Sequence, residues 1–438
     1  MRFSRFLLTA LISYSTCIGT PFLLGQNAPL ALSAQSALEN KDYPKAEQLY
    51  REMLSHGETS PEILTNLGIV LELEGRSSEA MHAFEMALRQ RYLPGTYALL
   101  TQEKCKMQDL AGARPMLAKI LLESPQDTKL LAVVAPCYLE ADEPLQSIEV
   151  YQRLLSNQSF PADVALIQLA KSYLAASHFF FVRLQAAGPA NAPYIKAIQT
   201  ARDQGSANAR SAFPEAARAS SYFHADLSYG QAEKLWKQHP KDPALLYQLT
   251  VLSGEESMKQ LDECATKYPQ SPNLQQFQAE VLVEQGQEEE GLQKYQQLLR
   301  DYPNLPDLRY NLGMLYRKRG EWDKALGVFK DQLTRSPNDE RTAARVSESL
   351  LELKRYQELR DYLEPLSRKQ NVPLWVTLDL AEALQELSNI PEAIELLASS
   401  EKRNPLNKTI HYRLMRLYAL NGDSAEATKE NQLFRSAK

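Results

Sequence analysis

The chain has 438 residues, of which 44% are apolar and 24% charged, and its net charge is −5. That apolar share excludes a disordered chain, and the acidic balance excludes the basic excess of a nucleic-acid binder. The length would hold about three globular domains, unless one repeated unit fills it.

The chain opens on Arg2 and Arg5, followed by an uncharged, mostly apolar stretch from Phe6 to Gln26. A short positive region before an apolar one is the order of a secretory signal peptide. Gly25 offers a small residue for cleavage before Gln26, while Leu23 fits such a site poorly. An uncleaved anchor is the alternative, because about 20 apolar residues span a bilayer. Gly19 and Pro21 interrupt the run and favour cleavage. Tyr14 and Thr16 occupy positions where lipidation at Cys17 would prefer Leu and a small residue. The expectation is a signal peptide over residues 1–25 and a periplasmic or extracellular protein, with inner-membrane anchoring through residues 6–25 as the alternative.

Beyond that segment a period takes over. Ala325, Ala393 and Ala427 lie in one series with a step of 34, Gly291 extends it backward, and Leu359 fills the gap. Pro303, Pro337 and Pro405 keep the same step, with Asn371 in the missing place. Small residues and helix stops at that interval mark stacked helix-turn-helix units. The clearest unit runs from Pro306 to Asp339. Its first helix carries the stripe Leu308, Leu312, Leu315 and Tyr316, and Gly320 marks the turn. The second helix carries Trp322, Ala325, Leu326, Phe329 and Leu333, and Pro337 stops it for want of an N–H. Gly313 and Ala325 are small where the two helices must approach closely, and Tyr316 and Phe329 fill the space beside them.

These residues resemble the tetratricopeptide repeat (TPR). Leu312, Gly313, Tyr316, Ala325, Phe329 and Pro337 match its seventh, eighth, eleventh, twentieth, twenty-fourth and thirty-second positions, and Arg309 stands where the pattern prefers Trp. Leu67, Gly68, Ala80, Phe84 and Ala87 make a second match; Ala279, Leu282, Tyr295 and Pro303 make a third. Partial copies share the register: Ala46 with Tyr50; Ala113, Leu117 and Pro125; Ser147 with Tyr151; Ala381, Ala393 and Pro405; Leu414, Tyr418 and Ala427. Units begin near residues 27, 61, 94, 128, 163, 243, 272, 306, 340, 374 and 408, with an irregular one between 191 and 240. The resemblance implies an all-α, right-handed superhelical solenoid of about 11–12 antiparallel helix pairs. It divides the chain into an N-terminal array over 27–175, an irregular helical segment over 176–240, and a C-terminal array over 241–438. In the irregular segment Phe179-Phe180-Phe181 precedes two Pro/Ala-rich stretches, Gly188 to Pro193 and Ala212 to Ala219, and a helical insertion outside the repeat is the alternative reading. The last helix, from Ser424, has Ala427 and Phe434 to pack inward and polar residues between them, as a terminal cap needs. The ladder as a whole resembles the large TPR proteins that bacteria export.

No constellation for catalysis emerges. The six histidines, His56, His82, His178, His224, His239 and His411, show no metal-ligand spacing to one another or to Cys. Gly-x-Ser-x-Gly and a Gly-rich phosphate loop are absent. Ser399 and Lys402 form an isolated Ser-x-x-Lys at a helix end. Three cysteines lie outside the export segment, Cys105, Cys137 and Cys264. They are read as small buried residues, although Cys105 and Cys137 fall on first helices of successive units, where a bridge is conceivable. No catalytic, cofactor or metal residue is therefore assigned, and no cofactor is expected.

The resemblance implies that first helices line the concave face. Carrying its positions over gives Glu280 and Glu284 in the unit at 272, and Tyr310, Met314, Arg317 and Lys318 in the unit at 306. It gives Glu348 and Glu352 in the unit at 340, Trp375, Glu382 and Glu386 in the unit at 374, and Tyr412 and Arg416 in the last. Six glutamates would lay carboxylates along one wall, and Tyr310, Met314, Trp375 and Tyr412 would interleave aromatic or soft contacts. Asn66 and Asn311 stand at a position used in the carboxylate clamp of some TPR domains, but Ile69 and Met314 replace its second Asn. The expectation is a non-enzymatic scaffold for a protein or peptide segment of some basic character. A membrane-tethered accessory of envelope assembly or export is the alternative.

Overall fold

The structure is a computed structural model that describes residues 28–203 and 222–436, apart from 41, 159, 189–190, 223, 225, 306, 338 and 369–371. The expected signal segment with Cys17, the unit start Pro306, Asn371 and the stretch Ala212 to Ala219 lie outside the described residues. The described residues form 22 α-helices and no strand, so the fold is all-α, as expected.

In chain order the helices are α1 (Ala28–Glu39), α2 (Tyr43–Ser55), α3 (Pro61–Leu73), α4 (Ser77–Gln90), α5 (Pro94–Lys106), α6 (Leu110–Glu123), α7 (Thr128–Glu140) and α8 (Pro144–Leu155). The centre holds α9 (Ala162–Ala186), α10 (Ala192–Asp203), α11 (Tyr229–Gln238) and α12 (Pro243–Lys267). Then come α13 (Pro272–Glu284), α14 (Glu288–Asp301), α15 (Leu308–Lys318), α16 (Trp322–Arg335), α17 (Glu340–Glu352), α18 (Tyr356–Ser367), α19 (Leu374–Glu386), α20 (Ile390–Arg403), α21 (Lys408–Leu420) and α22 (Ser424–Ser436). Contacts group them into two units. The first holds residues 53–66 and 83–285, and the second holds 30–52, 67–82 and 286–436.

The period is written in the backbone as well as in the side chains. Gly286, Gly320, Lys354, Ser388 and Gly422 all have positive φ, at 83°, 72°, 54°, 63° and 86°, and stand 34 residues apart. Gly75, Gln108 and Asp142 play the same part earlier, at 78°, 61° and 59°. Each follows the first helix of its unit. At Gly320 the N–H of Glu321 donates to the Tyr316 carbonyl at 2.9 Å, and that of Gly320 to the Arg317 carbonyl at 2.9 Å. The same two bonds recur at Lys354 and Ser388. This is the Schellman ending, in which one left-handed residue satisfies the last carbonyls of a helix and reverses the chain. Three of the eight positions carry Lys, Ser or Asp and one carries Gln, so the geometry persists where the sequence offers no glycine.

Close packing of the second kind of marker is seen in the unit at 306. A Cβ placed on Gly313 would sit 2.4 Å from Cε1 of Phe329. Phe329 and Ala325 are both 0% exposed. The expected small-residue contact therefore exists, and the ring occupies the space that a side chain at 313 would take. Arg309, the departure from the family pattern, is buried with its guanidinium satisfied by the Asp331 carboxylate and the Pro303 carbonyl. An indole is replaced by a cation that keeps its donors paired, as burial requires.

The units expected at 163 and 243 take a different form. α9 and α12 are single 25-residue helices, and α9 runs through residue 176, where a segment boundary was expected. The physical reason lies in the turn position. Residues 175–178 are Ala-Ala-Ser-His, all compatible with a helix and none favouring positive φ, and the first left-handed residue is Gly188 at φ 106°. In α12 Gly254 stays helical, and no proline follows it before Pro269. The two long helices lie antiparallel: Ser257 Oγ donates to the Ala170 carbonyl and Ser177 Oγ to the Thr250 carbonyl, both at 2.8 Å. Small residues let the backbones come that close. Phe179 and Phe180 meet Trp236 edge-on, at centroid distances of 6.2 and 5.1 Å, and this docks α11 on α9. The three cysteines are free and buried. The Cys105 thiol beside it, together with burial, pushes the Cys137 thiol up.

Gly313→Ala should destabilise the unit at 306 by about 1–3 kcal/mol through overpacking, and Phe329→Ala by about 3–5 kcal/mol through the cavity it leaves. The double variant Gly313→Ala/Phe329→Leu should recover part of the first loss, read by chemical denaturation. Ser388→Gly should stabilise by about 0.5–1 kcal/mol, since relief of a left-handed side chain is worth roughly 1–2 kcal/mol and the added glycine entropy offsets part of it. Slower hydrogen exchange in α19 and α20 would register that gain; unchanged or faster exchange would contradict it.

Candidate functional site

In the second unit, the first helices α15, α17, α19 and α21 carry most of the residues expected on the concave face. They are stitched together by polar contacts between successive repeats. Arg317 gives Glu348 two hydrogen bonds to one oxygen, from Nε at 2.9 Å and Nη2 at 2.6 Å, and Arg345 bonds the other oxygen. The hydrogen bonds that Arg317 donates to Glu348 raise the Arg317 pKa above its ordinary value. Arg341 lies 3.7 Å over the Tyr310 ring and bonds Asp307. Ser347 Oγ donates to Asp379 at 2.8 Å, and burial pushes the Asp379 carboxyl up. Arg413 reaches Glu382 at 3.0 Å and the Leu378 carbonyl at 3.2 Å.

The expected wall of carboxylates is thus divided. Glu348 and Glu382 are spent on cations of the neighbouring repeat, whereas Glu352 and Glu386 are exposed. Gln385 donates to Glu386 at 3.1 Å. Lys318 turns back to Glu288 at 2.8 Å. In the first unit Glu280 pairs with Lys171 of α9 at 2.8 Å, and Glu284 is exposed. Lys171 sits on a helix 109 residues away in sequence, so no repeat-position argument would have found it.

The aromatic members differ in how freely they are presented. Tyr310 is half-buried between Phe329, at 5.9 Å between centroids, and Arg341. Met314 is half-buried. Trp375 is half-buried, its Nε1 donating to Glu340 at 3.4 Å. It lines a cavity of about 100 Å³ together with Arg76, Glu79, Pro337, Glu340 and Val376. Tyr412 is 42% exposed, beside Phe434 of the cap helix and the exposed Arg416. Of these rings only Tyr412 is exposed, while Trp375 and Tyr310 are both half-buried.

One cluster escaped the sequence. Glu401 of α20, His411 of α21 and Glu430 of α22 bring ligand-type atoms within 4.8 Å of one another. His411 Nδ1 lies 2.8 Å from Glu430 and 3.7 Å from Glu401, and Nε2 lies 3.0 Å from the Pro405 carbonyl. Burial works to lower the His411 pKa, and the bonds to Glu430 and Pro405 outweigh it and leave it raised. Spacings of 10 and 19 residues match no ligand motif, because the three side chains come from three successive helices.

The comparisons agree with this architecture. Family models described as tetratricopeptide repeat match residues 282–348 and, in a second model, residues 32–92 and 378–433. The chain is a tetratricopeptide-repeat protein. No curated protein sequence matches it significantly. Among solved structures it is similar to MamA 41-end from Desulfovibrio magneticus RS-1, at 22% identity over 38% of this chain and 96% of that one, with a TM-score of 0.34. A tetratricopeptide repeat protein from Parabacteroides merdae is similar at 18% identity over 47% and 80% of the two chains, with a TM-score of 0.35. Yeast Tom70 is similar at 13% identity over 86% and 92%, with a TM-score of 0.32. Proteins of this repeat are generally non-catalytic scaffolds that bind protein partners.

The ion pairs between repeats are part-exposed, at 34% and 28% for Arg317 and Glu348. A double-mutant cycle with Arg317→Ala and Glu348→Gln should therefore return a coupling below about 1 kcal/mol that shrinks in high salt. A coupling of several kcal/mol would mean that the pair is desolvated.

Proposed function

We propose that the protein is an exported interaction scaffold whose first-helix surface over α15, α17, α19 and α21 holds an extended protein or peptide segment. The observation that supports this most is the pair of part-exposed rings, Trp375 and Tyr412, on first helices of the same array whose C-terminal ends carry the exposed carboxylates Glu352 and Glu386. Rings of this kind anchor interfaces because they bury a large area at low entropic cost. The carboxylates would favour a basic segment and speed its approach. Glu348 and Glu382 play no direct part in the reading, since they hold neighbouring repeats together, and Tyr310 acts as packing between Phe329 and Arg341. Export rests on Arg2, Arg5 and the apolar run to Gln26.

The test is capture from an envelope extract by the full-length protein and by Trp375→Ala/Tyr412→Ala. Loss of a captured protein at an unchanged circular dichroism spectrum is the expected result, with affinity lower by at least about 30-fold if either ring is an anchor of 2 kcal/mol. Equal capture would remove this surface from the binding reaction. Glu352→Gln and Glu386→Gln should each weaken a basic partner by roughly 2–5-fold at low salt, as rim charges do. Mass spectrometry of the mature N-terminus separates the readings of the first segment: a start near Gln26 means cleavage, and an intact Met1 means an anchor.

A further inference from the structure

We propose that Glu401, His411 and Glu430 form a binding site for one divalent transition ion of the zinc type, which fastens the last three helices to one another. The donor set is one imidazole and two carboxylates, which suits zinc and its first-row neighbours and is too poor in oxygens for calcium. The site draws one ligand from each of α20, α21 and α22, so an ion there would tie the closing hairpin to the helix before it.

The geometry is close to that of an ion site before loading. Metal–ligand bonds of about 2.0–2.1 Å in a tetrahedron set neighbouring ligand atoms about 3.3 Å apart. The two distances from Nδ1, 2.8 and 3.7 Å, bracket that edge, and all three ligand atoms lie within 4.8 Å of one another. The imidazole is already oriented. The Pro405 carbonyl can only accept, so Nε2 carries a hydrogen and bonds it at 3.0 Å. A backbone carbonyl on the far nitrogen is the usual outer partner of a metal-bound histidine, and it leaves Nδ1 as the ligand. The charge balance points the same way: two carboxylates and a neutral imidazole offset a dication, whereas a ring protonated at both nitrogens leaves one carboxylate of the cluster uncompensated. Lys429 does not supply the missing charge directly, because its ammonium pairs with Glu426 at 3.2 Å. His411 and Glu430 are almost wholly buried, while the Glu401 side chain is 27% exposed. The ion would enter on the Glu401 side and keep its remaining position for water. On binding, the ion takes the Nδ1 lone pair and any proton held there leaves to solvent.

The test uses the tag-free full-length chain after treatment with a chelator. Equilibrium dialysis should find one zinc per chain, and cobalt in its place should give the intense visible bands of tetrahedral coordination. At a zinc concentration 100 times the measured Kd, hydrogen exchange of the α22 amides should slow by about 100-fold, since binding only the folded form adds RT ln(1 + [L]/Kd). Glu401→Gln keeps the His411–Glu430 bond, so it should fold as the metal-free protein does and lose both the zinc and the protection. His411→Gln should lose the zinc as well. Failure of the wild type to bind one zinc per chain would overturn the site, as would binding that survives Glu401→Gln.

Discussion

A single backbone conformation organises the regular parts of the molecule: one residue with positive φ after the first helix in eight units among the described residues, returning the chain on itself at a fixed interval. Everything else in the regular parts follows from where that reversal falls. It sets the length of the helices to about three turns, brings the eighth position of the repeat opposite the second helix, and so decides that Gly313 must be small and Phe329 must be large. The reversal is cheap for glycine and costs roughly 1–2 kcal/mol for Lys354 or Ser388. Its presence at those positions means that packing on both sides imposes it. Local propensity and tertiary packing agree at Gly320 and Gly422, and packing prevails at Lys354, Ser388, Gln108 and Asp142.

That division explains what could be read in the chain beforehand. The family and the interval were legible because small residues and prolines mark them directly, at Ala325, Ala393, Pro337 and Pro405. In the centre, phase alone suggests hairpins at 163 and 243, and the chain forms single long helices there instead. The stretch Ala175 to His178 offers no glycine or proline, so a reversal there would have to be imposed by packing as at Ser388, and the packing of α9 along α12 favours the continuous helix instead. The Glu401, His411 and Glu430 cluster was invisible for another reason. Motif spacing records ligands on one helix or one loop, and these come together only after three helices have stacked. Lys171 and Glu280 make the same point across a still longer separation.

Charge along the first helices serves two purposes that sequence position cannot distinguish. Arg317 with Glu348 and Arg413 with Glu382 face each other across neighbouring repeats and hold them in register. Glu352 and Glu386, one turn further along their helices, are left to solvent. The contribution of each pair to stability is small, but their directionality is useful: a stack that slipped by one repeat would set unlike partners against one another. Counting acidic residues alone would overstate the negative field offered to a partner, since half of the expected carboxylates already have a cation.

The antiparallel pair α9 and α12 has a kinetic consequence. Elsewhere, interactions between neighbouring repeats join residues about 30 positions apart, and an array of that kind can nucleate at many places and grow outward. Ser257 meets Ala170 across 87 positions and Ser177 meets Thr250 across 73. Bringing those groups together closes a large loop before any contact rewards it. Growth arriving from either end therefore meets its barrier in the middle of the chain, and during synthesis the early hairpins stand complete while α9 waits, with part of its apolar face uncovered, for α12 to emerge.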